Sequence, residues 1–263
     1  MLGWSINLFK VFGIQLSVHA SFALLLAYVA YEGWTEAKLP GMVWGVGLLL
    51  LFFVCVVLHE LGHSLTARRY GINVPRILLL PIGGVAQFSR IPRKPLEELI
   101  ITIAGPAVNF VIAAVLFAVI WIGTINTKDF PPYSFNTLID ELCKWNLVMG
   151  IFNLLPVFPM DGGRIVRALL ATKLPYLRAT QLAAAGSKIL APILACEAFY
   201  VHLNMVGILF IFILFVGSAE YKHTLRYEEE ARYRAELAKQ TERTNYTTDE
   251  PPPAPPLILQ GPN

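Results

Sequence analysis

A chain of 263 residues that is 56% hydrophobic and only 15% charged is too apolar for a soluble domain; its mean hydropathy is +0.57. The apolar residues fall in blocks of about 20, enough to cross a bilayer, so the length suits one membrane-embedded helical bundle better than several domains. The formal charge of +3 includes no basic cluster with interleaved aromatics, which excludes nucleic acid as an expected partner, and the three scattered cysteines imply no disulfide framework.

Met1 to Gly13 is a short start with one lysine, Lys10. A first span is predicted from about Ile14 to Tyr31, too long and too poor in small residues at its end for a signal peptide. His19 within it reads as an interfacial histidine or as a residue at a site mouth. Glu32 to Pro40 is a polar turn. The second span, about Met42 to Ala67, ends in Arg68-Arg69 and carries VVLHELGH. On a helix His59 and His63 lie on one face, one turn apart. Two imidazoles so placed can hold zinc, and Glu60 beside them can take a proton from a bound water, the H-E-x-x-H pattern of zinc-dependent proteolysis. The pair lies roughly 7–15 Å in from the arginines at about 1.5 Å per residue. Gly62 leaves room for a close approach. Cys55 is either a small hydrophobe or shares the metal face.

Gly71 to Pro95 has four prolines and three glycines, which exclude a long helix. Its apolar pieces ILLL and VAQF, joined around Gly83-Gly84, predict a hairpin or re-entrant loop beside the site, or else a plain surface loop. As a strand edge it could pair with an extended substrate. The third span, about Leu96 to Gly123, contains AGPAVNF, whose Gly105 and Pro106 signal close packing or a kink. Asn109 either bonds across helices or reaches the site. Thr124 to Asp140 is a polar loop. The fourth span starts near Glu141 and is broken by NLLPVFPMDGG. A carboxylate at that depth needs a cation, and Asp161 is the expected third zinc ligand, with the fourth position open. Asp140, Glu141, Glu97, Glu98, His202 and His223 are weaker candidates, Glu97 and Glu98 reading as interfacial. Leu174 to Gly186 is a connection. Fifth and sixth spans run from about Ser187 to Val201 and Met205 to Ser218. Tyr221 to Gln240 is a charged helical stretch, solvated rather than partner-binding, and the proline-rich end is expected to be disordered.

Basic residues cluster at alternate span ends, Arg68 to Lys94 and Arg164 to Arg178 against the less basic loops around Glu32 to Lys38 and Lys128 to Lys144. The positive-inside rule then gives six spans with both termini, and the histidines and Asp161, toward the cytoplasm. The expected fold is an all-α polytopic membrane protein with about six transmembrane helices, a short re-entrant β-hairpin or loop and a broken fourth helix. Residues 1–221 would form the membrane domain and 222–263 a cytoplasmic extension.

With HELGH at 59–63, AGPAVN at 104–109, the glycines at 83–84 and NLLPVFPMDGG at 153–163, the chain resembles the site-2 protease family of intramembrane zinc metalloproteases. The resemblance covers roughly Ile14 to Tyr221. It implies regulated cleavage of a transmembrane protein substrate, one zinc per chain held by His59, His63 and Asp161, and Glu60 as general base. It further implies that Asn153 helps hold the oxyanion; the candidate substrate contacts, Gly83 and Gly84 at the strand edge and Asn109 if it reaches the site, come from the residues themselves. A bacterial or archaeal cell membrane is the expected setting, and a homo-oligomer is left open. No PDZ-like or CBS-like module is expected within the chain. Two rival classes remain: a membrane metal transporter, which would need ligands leading to both faces, and a non-proteolytic scaffold for membrane helices, which would not need Glu60.

Overall fold

The chain opens with strands where a membrane helix is predicted. The structure is a computed structural model and describes residues 4–90, 92–122 and 132–244. Ser5–Val11 (β1) and Ile14–His19 (β2) form an antiparallel hairpin. Its turn, Phe12-Gly13, has φ of 50° and 77°, the two-residue turn whose twist matches that of the strands it joins. The span expected from Ile14 therefore begins later, at Phe22. The reason lies in IQLSV, which alternates apolar and polar residues with period two. Arg76–Leu80 (β3) lies parallel to β2, with Gln15 opposite Arg76, and antiparallel to Gly83–Gln87 (β4), with Leu80 opposite Gly83. The hairpin expected within Gly71 to Pro95 is thus half of a four-stranded sheet ordered β1-β2-β3-β4. The molecule is mostly helical but not all-α.

Helix α1, Phe22–Arg69, reverses at Ala37 and Lys38, whose backbone angles are not helical. Pro40 follows in the first turn of the second arm, where a missing N–H costs nothing. Gly33 and Gly41 face each other across the reversal, so close that a Cβ on Gly33 would lie 2.6 Å from the Gly41 carbonyl carbon. The two arms hold the first two predicted spans. Pro95–Ile122 forms α2 and Phe135–Asn153 forms α3, capped by Ser134 accepting from the Thr137 N–H at 3.3 Å. The predicted fourth span starts earlier than Glu141 for that reason. After a break containing Pro156 and Pro159, Asp161–Ala171 forms α4. Tyr176–Tyr200 (α5) absorbs most of the stretch expected to be a connection, since its alanines favour helix once Pro175 has set the start. Asn204–Thr244 (α6) joins the sixth predicted span and the charged stretch in one helix. The side chain of His223, the last residue of the predicted third span, the 124–131 part of the predicted polar loop and the proline-rich end from 245 onward lie outside the described residues.

Among the described residues α1, α2 and α5 are long and apolar enough to cross a membrane. Leu24, Val54, Val111, Val115 and Phe117 leave their apolar side chains uncovered on α1 and α2, as lipid-facing positions do. Two compact units result. Of the described residues, one takes in those up to Leu155 with Met160–Ala168; the other takes in Pro156–Pro159 and those from Leu169 to Thr244. In the first, Ile14 and Leu16 of β2 and Ile77 and Leu79 of β3 form a core with Phe53, Val56 and Leu61 of α1 and Ile101 of α2. That core fixes the sheet against the turn of α1 that bears the histidines. In the second, α5 packs on α6.

Candidate metal centre

His59 and His63 project from one face of the second arm of α1, their Nε2 atoms 3.0 Å apart. Each ring is held from behind. His63 Nδ1 lies 2.8 Å from the Ile101 carbonyl oxygen, which can only accept. His59 Nδ1 lies 2.6 Å from Asn109 Oδ1. The orientation of that amide follows from its other end, where Nδ2 donates to Asn146 Oδ1 at 3.0 Å while Asn146 Nδ2 donates to the Leu142 carbonyl at 2.8 Å. Both Nδ1 atoms therefore carry protons, and both Nε2 atoms present lone pairs to the same point.

Asp161 completes the group. Its Oδ2 lies 3.3 Å from His59 Nε2 and 3.2 Å from His63 Nε2 and has no hydrogen-bond donor. The three residues are 3%, 7% and 8% exposed. Three acceptors converging out of water with no donor among them would be destabilising unless a cation lies between them. The spacing suits zinc: ligands about 2.0–2.1 Å from a tetrahedral ion stand roughly 3.3 Å apart. Three protein donors leave one corner for water, as a catalytic site requires. No other group of three such ligands forms among the described residues.

The sequence explains how such a site can close. Gly62 lets the α2 backbone come near, since a Cβ there would lie 2.7 Å from the Ala104 carbonyl oxygen. Gly105 faces the imidazoles themselves; its Cβ would overlap His63 and lie 2.8 Å from His59 Nε2. Asp161 is the first residue of α4, and Gly162 packs that turn against the Leu154 and Leu155 carbonyls, which a side chain would overlap. Glu60, next to His59, turns toward the sheet. Its Oε2 accepts the Ala86 N–H at 3.2 Å, and a Cβ on Gly84 would lie 2.5 Å from its Cγ.

The other expected residues are placed as follows. Gly83 starts β4 with φ of 135° and open space where a Cβ would stand. Asn109 has no exposed surface, and both ends of its amide are occupied, Oδ1 by His59 Nδ1 and Nδ2 by Asn146. Asn153 Nδ2 donates to the Met149 carbonyl of its own helix at 3.0 Å. Cys55 is buried and outside the ligand group. His19 bonds Ser21 Oγ at 2.7 Å at the start of α1. Glu98 is not interfacial: it is buried and paired with Arg167, Nε to Oε1 2.8 Å. The signal for that pair is Arg167 itself, a cation six residues beyond Asp161 that precedes the apolar run ALLA of a short amphipathic helix.

The model of peptidase family M50 matches residues 47–128 and 124–194, which include every residue of the metal group. The chain belongs to peptidase family M50. Among its relatives is a zinc metalloprotease of Methanocaldococcus jannaschii, 40% identical over 227 residues, which cover 86% of this chain and 63% of that protein. Stage IV sporulation protein FB of Bacillus subtilis is 28% identical over 72% of this chain and 64% of its own length. The chain thus spans somewhat under two thirds of these relatives. The solved site-2 protease from M. jannaschii is similar in fold, with a TM-score of 0.61 and 41% identity over 83% of this chain and 95% of that one. The M50 match covers both the HELGH turn and the Asp161 turn.

Proposed function

We propose that this M50 chain is an intramembrane zinc metalloprotease that hydrolyses a peptide bond in or near a transmembrane segment of a membrane-protein substrate. One observation carries the reading: two imidazole lone pairs and a donor-free carboxylate oxygen converge beside Glu60 on a helix apolar enough to cross a bilayer. The names of the relatives, zinc metalloproteases among them, support it.

His59, His63 and Asp161 would hold the zinc. When bound, zinc acidifies water and polarises a carbonyl. Glu60 takes the proton of the attacking water and passes it to the leaving amine. Asn153, rotated off the Met149 carbonyl, donates to the developing oxyanion. An intact substrate helix shields its carbonyls with its own hydrogen bonds, so the cleaved stretch must be extended. Among the described residues β4 pairs only with β3, and Gly83 and Gly84 on its outer edge let a substrate backbone come close and add as a further strand. The site and both termini face the cytoplasm across six spans, residues 1–221 forming the proteolytic domain and 222–263 an extension.

The test is purified Glu60→Gln beside wild type, with zinc content and cleavage of a transmembrane substrate both measured. Cleavage is expected to fall by about 10²–10⁴-fold with about one zinc per chain retained. Retained cleavage removes Glu60 as the base; a wild type that takes up no zinc removes the reading.

A further inference from the structure

One face of α2 holds both histidines of the metal group. Glu98, Ile101, Gly105 and Asn109 succeed one another at helical spacing, three or four residues apart. The Ile101 carbonyl holds His63, Asn109 holds His59, and Gly105 lies against both rings. Glu98, at the start of this stripe, reaches a different element. Its Oε1 accepts from Arg167 Nε at 2.8 Å and from Nη2 at 2.5 Å. Arg167 stands on α4, the helix whose first residue is Asp161. Glu98 and Arg167 are 2% and 3% exposed.

We propose that the Glu98–Arg167 pair is a positioning clamp that holds α4 to the histidine-bearing side of the site, so that Asp161 reaches the metal. The need for one is physical. Asp161 follows a break with two prolines, and a zinc ligand must sit within a few tenths of an ångström of its place. The two histidines are aligned by α2 directly; Asp161 accepts no hydrogen bond at Oδ2 that could align it. A two-point guanidinium contact, with both charges out of water, is directional where an apolar contact is not. The pair touches no substrate and no metal, and acts through Asp161. The proposal rests on the zinc reading of the site and predicts zinc affinity rather than proteolysis.

The experiment is zinc affinity of the full chain in detergent, by competition with a chromophoric chelator, for wild type, Glu98→Gln and Arg167→Lys. Glu97→Gln, at the neighbouring pair with exposed Lys94, is the control. Each clamp variant is expected to bind zinc about 10–100-fold more weakly with its helix content unchanged, and Glu97→Gln as wild type. Arg167→Lys keeps the charge and loses only the two-point geometry, so it carries the test should Glu98→Gln not fold. In an Asp161→Ala background, where only the histidines remain, Arg167→Lys should weaken zinc no further. Wild-type affinity in a folded clamp variant overturns the proposal. So does an undiminished further loss in the Asp161→Ala background, because the pair would then act on general stability. Absence of zinc from wild type would overturn the site reading itself.

Discussion

Glycine decides the metal centre as much as histidine does. Imidazoles can approach a helix backbone as closely as they approach α2 only where that backbone lacks a side chain, and Gly105 is that place. A Cβ there would overlap His63 and press on His59 Nε2 at 2.8 Å. Alanine normally favours a helix interior over glycine by about 1 kcal/mol, so Gly105→Ala separates two effects that most substitutions confound. Helix content should hold or rise, while the displaced rings bind zinc at least about ten-fold more weakly. Circular dichroism and zinc titration on the same sample check this, and full zinc uptake would mean that the rings do not rest on Gly105. Asn109 works at the same scale. An amide accepts from His59 while donating to Asn146, which a carboxylate could not do, so the residue type follows from the bond it must make on each side.

At the scale of elements, β4 meets the second arm of α1 at Glu60. Gly84→Val places a branched side chain where the Glu60 methylene stands, 2.5 Å from the new Cβ, but moves none of the three ligands. Cleavage of a transmembrane substrate should fall by about 10²-fold, the usual effect of misplacing a reacting group by about 1 Å, with zinc retained. Loss of zinc as well would mean that β4 supports the ligands and not just Glu60. The elements also show where the sequence was readable. HELGH could be placed because four residues make one helical turn, and DGG because two prolines must end a helix before it. The strands β1 and β2 are hidden because IQLSV is apolar enough to read as the start of a membrane span, and only its period-two alternation marks a strand. The Glu98–Arg167 pair joins residues 69 apart in the chain. No local pattern reveals such a partner; only the tertiary fold brings the Arg167 side chain of α4 to Glu98 of α2.

For the molecule as a whole, the reversal of α1 gives the charge pattern its meaning. The β1–β2 turn and the end of the second arm lie together, since Arg68 Nη1 donates to the Phe12 carbonyl at 2.5 Å. On the next strands Arg76 reaches Ser17 at 2.8 Å and Ser5 at 2.5 Å. Lys10, Arg68, Arg69 and Arg76 therefore gather at the sheet end of this unit, while the reversal at Ala37 and Lys38 sits at the far end of both arms. Basic residues near span ends are retained on the cytoplasmic side. The two histidines are about one and a half to two and a half helical turns from Arg68, so water and an unwound substrate would enter from that side. A tag placed before Trp4 should accordingly resist membrane-impermeant labelling in intact cells and react in inverted membrane vesicles. A tag labelled from outside would put the sheet and the zinc ligands at the opposite face, and the basic cluster would then serve the sheet alone, through the hydrogen bonds of Arg68 and Arg76.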